Sequence, residues 1–368
     1  MKKICFFNRS SIHYRKNIWM LMDRELPCDF YFGDSRPGKI EELDTSLLSN
    51  FKGKFHNVTI GPFYWQKGAL KLLRSNYTDI ITSGDIHCIS TWVFLLLSKF
   101  TKKRIYFWTH GAYGDESFFR RWLTRFRYTF LEGAFLYGNY AKEFLVKYGI
   151  PENKLHVIYN SLDYDEQLPI RLGIKSSDIF KIHFRNEDKT LVFIGRLTKV
   201  KKLDQIINAM TILKKQGFNL NLIFIGDGTE RENLEKMAKE CGLEDKIWFY
   251  GSCYEENKIS EFLYNADICV SPGNVGLTAM HAMNFGTPVI THNDFTHQMP
   301  EFEAIEDGQT GTFFERDNIE DLARSIKGWL CSDKDREFIR NACFKVIDGK
   351  YNPHIQVTTI KNVIQNLQ

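Results

Sequence analysis

The pattern of apolar and polar positions predicts a chain in which short strands alternate with helices. In the first half, runs rich in β-branched and aromatic residues mark six candidate strands, at residues 3–8, 29–33, 79–83, 104–110, 134–137 and 155–159. Apolar residues at helical spacing mark four candidate helices, at residues 14–24, 87–100, 116–130 and 141–148. This alternation predicts parallel sheets with helices on both faces.

The second half begins the same pattern again. A candidate strand at residues 190–195 leads into a helix whose apolar residues share one face: Leu203, Ile206, Ile207, Met210 and Leu213. Further candidate strands follow at residues 222–226, 247–251, 268–271 and 288–291. We therefore expect an α/β fold of two Rossmann-like doubly wound domains that face a cleft. Ligands in such folds bind at the carboxyl ends of the strands.

A change in composition predicts the domain boundaries. Residues 166–188 are polar, contain Pro169 and show neither the helical nor the strand period, which predicts a linker. We expect an N-terminal domain at residues 1–165 and a C-terminal domain at residues 189–345. A final helix within residues 346–368 is expected to pack back toward the first domain.

The charge of the chain is unevenly distributed. The 368 residues carry a formal net charge of only +4. Residues 1–160 hold 24 Lys and Arg against 14 Asp and Glu, a net +10, whereas residues 161–368 carry a net −6. Halves of opposite charge indicate different partners. The hydrophobic content of 43% excludes a disordered, collagen-like or low-complexity chain.

The cysteines and the lengths of the apolar runs indicate the cellular compartment in which the protein works. Eight Cys are scattered without a Cys-x-x-Cys pair or a zinc-type spacing, as expected for free thiols in a reducing environment. The amino-terminal sequence lacks the apolar core of a signal peptide. The longest apolar stretch, Trp92 to Leu97, is far shorter than the ~20 residues that span a bilayer. We expect a cytoplasmic protein that is soluble or peripheral on the inner face of a membrane.

The first segment with a chemical signal is FIGRLTKVKKLD at residues 193–204, where a strand end runs into a helix. Arg196 would project from the strand end and Lys201 from the start of the helix. A guanidinium can bind a diphosphate bidentately, and an ammonium adds a point charge. A solvated basic turn explains such a segment equally well when it is seen alone.

Two further strand-to-helix turns contain glycines. The sequence IGDGTER at residues 225–231 gives a Gly-x-Gly turn, which by itself is more often a tight turn than a phosphate loop. Within residues 266–290, a strand ends near Ser271, and a loop with Gly273 and Gly276 leads to a helix that starts near Leu277. The free backbone N–H groups of that helix start would face an anion.

In this order and spacing, the three segments resemble the carboxyl-terminal domain of the retaining glycosyltransferases of family 4, which have the two-Rossmann GT-B fold. The family pattern G-R-L-x-x-x-K-G-x-D matches five residues: Gly195, Arg196, Leu197, Lys201 and Asp204. Lys202 stands at the second glycine of that pattern. The patterns I-G-D-G-x-E and A-M-x-x-G-T-P-V-I match residues 225–230 and 282–290. The resemblance implies that Arg196 and Lys201 hold the diphosphate of a nucleotide-sugar donor.

The chain departs from the family at two carboxylates. The family segment E-G-F-G-L-x-x-L-E-A carries a first Glu that contacts the donor sugar and a second that contacts the ribose. Gly273 and His281 stand at those two positions. A neutral ring nitrogen of His281 can accept a ribose hydroxyl, although a packed helix residue is an equal alternative. The sugar contact would move to Asn274 or to main-chain groups, which leaves the identity of the donor open.

The resemblance thus implies a donor site in the C-terminal domain, with the nucleotide base near Tyr250. The residues expected at this site are Gly195, Gly226, Asp227, Tyr250, Gly251, Tyr254, Gly273, Asn274, Val275, Gly276, Leu277, Thr278 and His281. We expect no metal and no other cofactor, because Arg196, Lys201 and a helix terminus can neutralise the departing diphosphate. An Asp-x-Asp at residues 163–165 falls at the predicted linker rather than at the end of an apolar strand.

The first half resembles the family more loosely. The sequence WTHGA at residues 108–112 is similar to the family's His-Gly turn, whose His faces the donor sugar. His110 is therefore a catalytic candidate together with Arg196 and Lys201. Residues 157–163, VIYNSLD, look like the family's V-I-P-N-G-V-D. The FFNRSSIHYR segment stands where relatives have an acceptor-side loop, and it supplies four acceptor-side candidates: Asn8, His13, Tyr14 and Arg15.

A basic aromatic segment has a second candidate role. Phe118–Tyr128 places four arginines among five aromatic residues, and on a helix Phe119, Trp122 and Phe126 would share one face. Such a helix can lie on an anionic membrane surface. A core-facing helix with a solvated basic side is an equal alternative. We expect no nucleic-acid partner, because no recognition motif accompanies the segment.

These observations predict a retaining glycosyltransferase that moves a sugar from a UDP- or GDP-sugar to a hydroxyl of a glycan or lipid-linked saccharide. The expected process is the biosynthesis of a surface polysaccharide such as lipopolysaccharide or capsule. No protein nucleophile is evident, so the resemblance favours front-face attack assisted by the leaving phosphate. The alternatives are a nucleotide-sugar-binding protein that has lost transfer and a nucleotide-sugar epimerase of the same architecture.

Overall fold

The structure, a computed structural model, describes residues 3–34 and 42–365 and consists of two compact units. The first unit is formed by residues 1–163 and 352–368, and the second by residues 164–351. Each unit contains a largely parallel sheet with helices packed on it. The expectation of an α/β chain with two Rossmann-like domains is confirmed. No helix in the described ranges is long and apolar enough to cross a bilayer.

The first unit is built on an eight-stranded sheet. Its strands are β1 (Ile4–Asn8), β2 (Cys28–Gly33), β3 (Phe51–Ile60), β4 (Phe63–Lys67), β5 (Asp79–Ser83), β6 (Arg104–Thr109), β7 (Gly133–Leu136) and β8 (Leu155–Val157). They lie in the order β4-β3-β2-β1-β5-β6-β7-β8, and all neighbours are parallel except β3 and β4. The first four helices are α1 (Lys16–Glu25), α2 (Ile89–Ser98), α3 (Phe118–Tyr128) and α4 (Asn139–Lys147).

The second unit has a six-stranded parallel sheet. Its strands are β9 (Lys189–Ile194), β10 (Leu220–Ile225), β11 (Ile247–Gly251), β12 (Ile268–Ser271), β13 (Val289–His292) and β14 (Gly311–Phe314), in the order β11-β10-β9-β12-β13-β14. Its helices are α5 (Tyr164–Gly173), α6 (Ile179–Phe184), α7 (Asp204–Lys215), α8 (Arg231–Glu240), α9 (Glu256–Asn265), α10 (Leu277–Asn284), α11 (Ile319–Leu330) and α12 (Arg336–Lys350). Residues 220–225 are all buried, as expected for a central strand covered on both faces.

The last described helix, α13 (Pro353–Gln365), belongs to the first unit. Its Val357, Ile360 and Ile364 are fully buried in the same apolar cluster as Trp19 of α1. Arg104 at the start of β6 donates to the Ile364 carbonyl oxygen at 2.8 Å and also pairs with the buried Asp79 carboxylate. Apolar packing and the hydrogen bond from Arg104 therefore both hold α13 in this unit.

The elements differ from the sequence-based prediction in two places. The hairpin of β3 and β4, at one side of the sheet, was not predicted, because about half of its side chains are exposed and its apolar alternation is weak. The predicted linker at residues 166–188 instead holds α6 and most of α5, both in the second unit. Helix α5 buries Gln167 and Arg171 rather than an apolar stripe, so it leaves no helical period in the sequence.

Candidate functional site

The glycines after β9, β10 and β11 allow three neighbouring turns to approach closely. Gly195 N donates to the Ile225 carbonyl oxygen at 2.9 Å, and Gly226 N donates to the Gly251 carbonyl oxygen at 2.8 Å. Gly226 has φ +145°, and a Cβ there would lie 2.0 Å from the Gly195 carbonyl oxygen. A side chain at residue 226 would therefore separate the turns, which explains the Gly-x-Gly pattern as packing.

The loop between β12 and α10 is packed against the turn that precedes α7. Gly273 N donates to the Lys201 carbonyl oxygen at 3.0 Å, and a Cβ on Gly273 would lie 2.1 Å from the Val200 carbonyl oxygen. Gly276 caps α10 with φ +52° and ψ −149°, a conformation that favours glycine. The position at which relatives carry a Glu thus has no space for a side chain in this chain.

Buried polar side chains from β13 and the following turn hold the same loop in place. The Oε1 atom of Gln298 accepts from Val275 N at 2.9 Å, and its Nε2 donates to Thr291 Oγ1 at 2.8 Å. At the other end, Thr278 Oγ1 donates to the Ile194 carbonyl oxygen at 2.8 Å and fixes the first turn of α10 to β9. The start of α10 is therefore a rigid element at the carboxyl end of the sheet.

Two predicted cations lie beside this loop. The Lys201 ammonium donates to the Asn274 carbonyl oxygen at 2.6 Å and to Asn274 Oδ1 at 2.8 Å. Burial lowers the pKa of Lys201 to about 8; the Glu301 carboxylate opposes this shift and the Arg196 charge adds to it. Arg196 is exposed, and its guanidinium forms no hydrogen bond or ion pair with the described residues. The Lys201 ammonium is thus fixed, and the Arg196 guanidinium is available to a ligand.

His281 is paired with a carboxylate that the sequence analysis missed. Its Nε2 lies 2.8 Å from Oε1 of Glu256, which also accepts from Gln167 Nε2 at 2.9 Å. Burial acts to raise the pKa of Glu256, but the hydrogen bonds from His281 and Gln167 outweigh it and hold that pKa below its usual value. In the sequence, Glu256 resembles an ordinary acidic residue in the first turn of a helix.

The remaining predicted donor residues divide into two groups. Val275 and Leu277 belong to the packed loop and the start of α10, whereas Asp227 is exposed beside its turn, and its Oδ1 accepts from Gly228 N at 2.7 Å. The Tyr250 ring packs 4.8 Å from that of Phe262. Tyr254 is 91% exposed. The structure therefore gathers the loop residues around Lys201 and leaves Tyr254 in solvent.

The first unit has its own cavity, of about 410 Å³, at the carboxyl ends of β1, β5 and β6. Four predicted residues line it: Asn8, Tyr14, Arg15 and His110. The exposed His13 does not line it. Two further wall residues, Arg9 and Asp85, were not predicted from the sequence. Asp85 follows β5 directly, so the rule that ligands bind at strand ends could have identified it.

His110 lies inside this cavity as a neutral side chain. Burial, with a smaller contribution from the charge of Arg15, lowers the pKa of His110 to about 4. Its Nδ1 is buried without a hydrogen-bond partner among the described residues, and its ring lies 4.7 Å from the ring of Tyr137. At neutral pH the imidazole can therefore exchange a hydrogen bond with a ligand but carries no charge.

Two guanidinium groups are held on the cavity wall by aromatic rings. Arg9 lies 4.1 Å from the Tyr64 ring centroid and 3.7 Å from the Asp85 carboxylate. Arg15 lies 5.3 Å from the Tyr137 ring centroid. Cation–π contacts fix the direction of such side chains without neutralising them. The cavity therefore presents the Arg15 guanidinium to a ligand, whereas Arg9 already faces the Asp85 carboxylate.

The aromatic face of α3 is exposed rather than packed in the core. Phe118 is 85% exposed, Phe119 66% and Trp122 53%. The rings of Phe119, Trp122 and Phe126 are stacked along the helix at centroid distances of 6.1 and 5.8 Å. The only buried residues of the helix are Arg127 and Tyr128. The alternative of a core-facing helix is therefore wrong, and an apolar surface on this unit remains to be explained.

Two family profiles match the chain. The profile described as Glycosyl transferases group 1 matches residues 175–345, and the profile Glycosyltransferase Family 4 matches residues 33–166. Among curated proteins, an uncharacterized glycosyltransferase of Methanocaldococcus jannaschii is 29% identical over 215 residues, which are 56% of this chain and 52% of that protein. An uncharacterized 41.2 kDa protein in the cps region of Klebsiella pneumoniae is 26% identical over 70% of this chain and 63% of that protein.

A third relative is named for its substrate. The N-acetylgalactosamine-N,N'-diacetylbacillosaminyl-diphospho-undecaprenol 4-alpha-N-acetylgalactosaminyltransferase of Campylobacter jejuni is 25% identical over 55% of this chain and 52% of that enzyme. The matches to these three relatives thus cover between half and two thirds of the length of each relative.

Solved structures are similar over the whole chain. Anabaena HepE in complex with UDP has a TM-score of 0.74 at 16% identity and covers 99% of this chain and 100% of its own. The apo form of the lipopolysaccharide outer core galactosyltransferase WaaB has a TM-score of 0.73 at 16% identity and covers 100% of both chains. At this level of identity, the similarity shows a shared GT-B fold.

Proposed function

Because the chain belongs to the group 1 glycosyltransferases, we propose that it transfers a sugar from a UDP- or GDP-sugar to a hydroxyl of a glycan or lipid-linked saccharide. The observation that carries this proposal is the Lys201 ammonium, which Asn274 fixes beside the loop before α10, together with the nearby unpaired guanidinium of Arg196 after β9. These groups form a ready site for a diphosphate. A nucleotide-diphosphate donor is supported by HepE, a protein of the same fold whose structure contains UDP.

The catalytic contribution of this site would be stabilisation of the leaving group. Negative charge develops on the diphosphate as the bond to the sugar breaks, and preorganised cations lower the barrier most where charge develops. Arg196 would bind the diphosphate bidentately, and Lys201 would contribute a fixed positive charge. The backbone N–H groups at the start of α10 would add to this. With these groups in place, the proposed reaction uses no metal.

The acceptor would bind in the cavity of the first unit, near His110. Neutral His110 would accept a hydrogen bond from the substrate or donate one to it, while Asn8, Tyr14 and Arg15 would position the acceptor. Retention of configuration by front-face attack follows the family resemblance. A role in surface polysaccharide synthesis is supported by the cps-region relative and by the diphospho-undecaprenol substrate in the name of another.

Attachment to a membrane is a separate part of the proposal. The exposed aromatic face of α3 would insert at headgroup depth, and Arg120, Arg121 and Arg125 would bind anionic lipid. A lipid-linked acceptor would then be presented at the surface on which the enzyme lies. The protein would act on the cytoplasmic face of that membrane.

The test is a panel of UDP- and GDP-sugars incubated with the protein and a membrane lipid extract, with labelled sugar followed into products. Arg196→Ala is expected to lower transfer about 10²- to 10³-fold, because it removes charge stabilisation of the leaving group. Arg324→Ala, which changes an exposed arginine of the same unit, should leave transfer unchanged. Binding of donor without transfer to any acceptor would favour a binding protein that has lost catalysis.

A further inference from the structure

The side chains of His281 and Glu256 form a pair that joins two helices at the carboxyl end of the second sheet. His281 lies on α10, one turn after Thr278, and Glu256 begins α9, which follows β11. Their contact is 2.8 Å, and the two side chains are 16% and 17% exposed. The pair is thus well ordered yet reachable from solvent.

Each member of the pair keeps one polar atom free. Oε1 of Glu256 accepts both hydrogen bonds of that carboxylate, from His281 and from Gln167, while Oε2 has no partner among the described residues. Nδ1 of His281 likewise has no partner there. Neither atom is among the buried unpartnered polar atoms, so both are accessible. If His281 donates its Nε2 proton to Glu256, Nδ1 is left as an acceptor.

We propose that Glu256 and His281 together bind the two ribose hydroxyls of the nucleotide, so that a carboxylate on α9 replaces the one that relatives carry on α10. The 2′-hydroxyl donates to Oε2 of Glu256 and the 3′-hydroxyl to Nδ1 of His281. Hydrogen bonds to an ionised acceptor are the stronger kind, and the lowered pKa of Glu256 keeps it ionised. This inference rests on the proposed donor site.

A purely structural role for the pair makes a different prediction. The same hydrogen bonds continue from Gln167 to Asn284 and tie α5, α9 and α10 together. If these hydrogen bonds only hold the helices together, removing the charge of Glu256 lowers the stability of the protein. The affinities for ribose and deoxyribose nucleotides then change by the same factor. The ratio of the two affinities therefore separates the two roles.

The experiment measures the affinities of UDP, 2′-deoxy-UDP, GDP and 2′-deoxy-GDP for the full chain by calorimetry. For the nucleotide that binds, the wild type should prefer the ribose form about tenfold or more. In Glu256→Gln this ratio should fall toward one, chiefly through weaker binding of the ribose form. Glu255→Gln, at the neighbouring exposed residue, should keep the wild-type ratio.

A second variant tests directly whether a carboxylate on α10 can replace the one on α9. The double variant Glu256→Gln with His281→Glu restores a carboxylate on α10 and should recover the ribose preference. An unchanged ratio in folded Glu256→Gln, or an equal loss of affinity for both forms of the nucleotide, would overturn the ribose assignment but not the proposed donor site. Failure of the wild type to bind any of the four nucleotides would overturn the proposed donor site, and this assignment with it.

Discussion

The Lys201 ammonium donates to both oxygens of Asn274, one on the main chain at 2.6 Å and one on the side chain at 2.8 Å. A cation held by two neutral oxygens keeps its charge available for a third, anionic partner. Because the ammonium is desolvated, its pKa of about 8 is far below that of an ordinary lysine. The positive charge on which diphosphate binding would depend is therefore sensitive to alkaline pH.

We expect nucleotide affinity to fall as the pH rises through about 8, since the protonated form of Lys201 predominates only below that value. Binding of UDP measured between pH 6.5 and 9.5 would reveal the loss. Lys201→Met should bind UDP weakly throughout and lose this dependence. A wild-type affinity that stays constant up to pH 9.5 would contradict the prediction.

Restoring the family carboxylate at residue 273 should impair the protein rather than improve it. In Gly273→Glu or Gly273→Ala, the new Cβ would meet the Val200 carbonyl oxygen at 2.1 Å, so the loop has to move. Overpacking of this kind costs about 1–3 kcal/mol, which corresponds to roughly 5- to 150-fold in UDP affinity if the loop position is required. Gly328→Ala, on α11 with open space around it, is the matched control. Tighter UDP binding by Gly273→Glu would refute the packing argument.

His110 should act without titrating. Because its pKa is about 4, His110 stays neutral between pH 5.5 and 7.5. The pH dependence of the transfer rate over this range should therefore have the same shape in the wild type and in His110→Ala. The variant should lose about 10- to 100-fold in transfer, as expected for one lost hydrogen bond to substrate, and keep its UDP affinity. His13→Ala, outside the cavity, should transfer normally. A strong defect in His13→Ala would instead place the acceptor elsewhere.

Vesicle binding tests the surface formed by α3. The double variant Phe119→Ala with Trp122→Ala removes exposed ring area and should abolish sedimentation with anionic vesicles, whereas neutral vesicles should bind the wild type poorly. Added salt should weaken the binding, because it screens the arginines. Leu172→Ala, at a residue 78% exposed in the second unit, should leave binding intact. Equal binding to neutral and anionic vesicles would count against an electrostatic role for the arginines.

The contribution of α13 to stability can be measured by urea denaturation. Ile360→Ala empties a fully buried position and should lower the free energy of unfolding of the first unit by roughly 2–5 kcal/mol. Ile355→Ala, on the same helix but 37% exposed, should have a much smaller effect. Comparable losses in the two variants would mean that α13 is not part of this core.

The sequence predicts those parts of the fold whose apolar pattern is set by burial. Strands such as β9 and β10 are largely apolar because both faces of the sheet are covered, and their predicted bounds differ from the observed ones by one or two residues. Helix α5 is different, since Arg171 is bound by Asp348 at 2.9 Å, far along the chain. No local pattern encodes such a contact.

The candidate site divides in the same way. Arg196 and Lys201 belong to a local motif with fixed spacing, so they could be identified from the sequence. Glu256 could not, because its relation to His281 arises only when α9 and α10 pack together. The glycine at residue 273 could be seen in the sequence, but its cause, the nearby Val200 carbonyl oxygen, could not.

The return of α13 to the first unit has a consequence for synthesis on the ribosome. All of the residues of the second unit, 164–351, are made before α13, and they can fold as soon as they emerge. The first unit, although begun earlier, lacks Val357, Ile360 and Ile364 until α13 has been made. The half of the chain that is made first should therefore be the last to become stable, and its incomplete apolar core is the surface that a chaperone would meet.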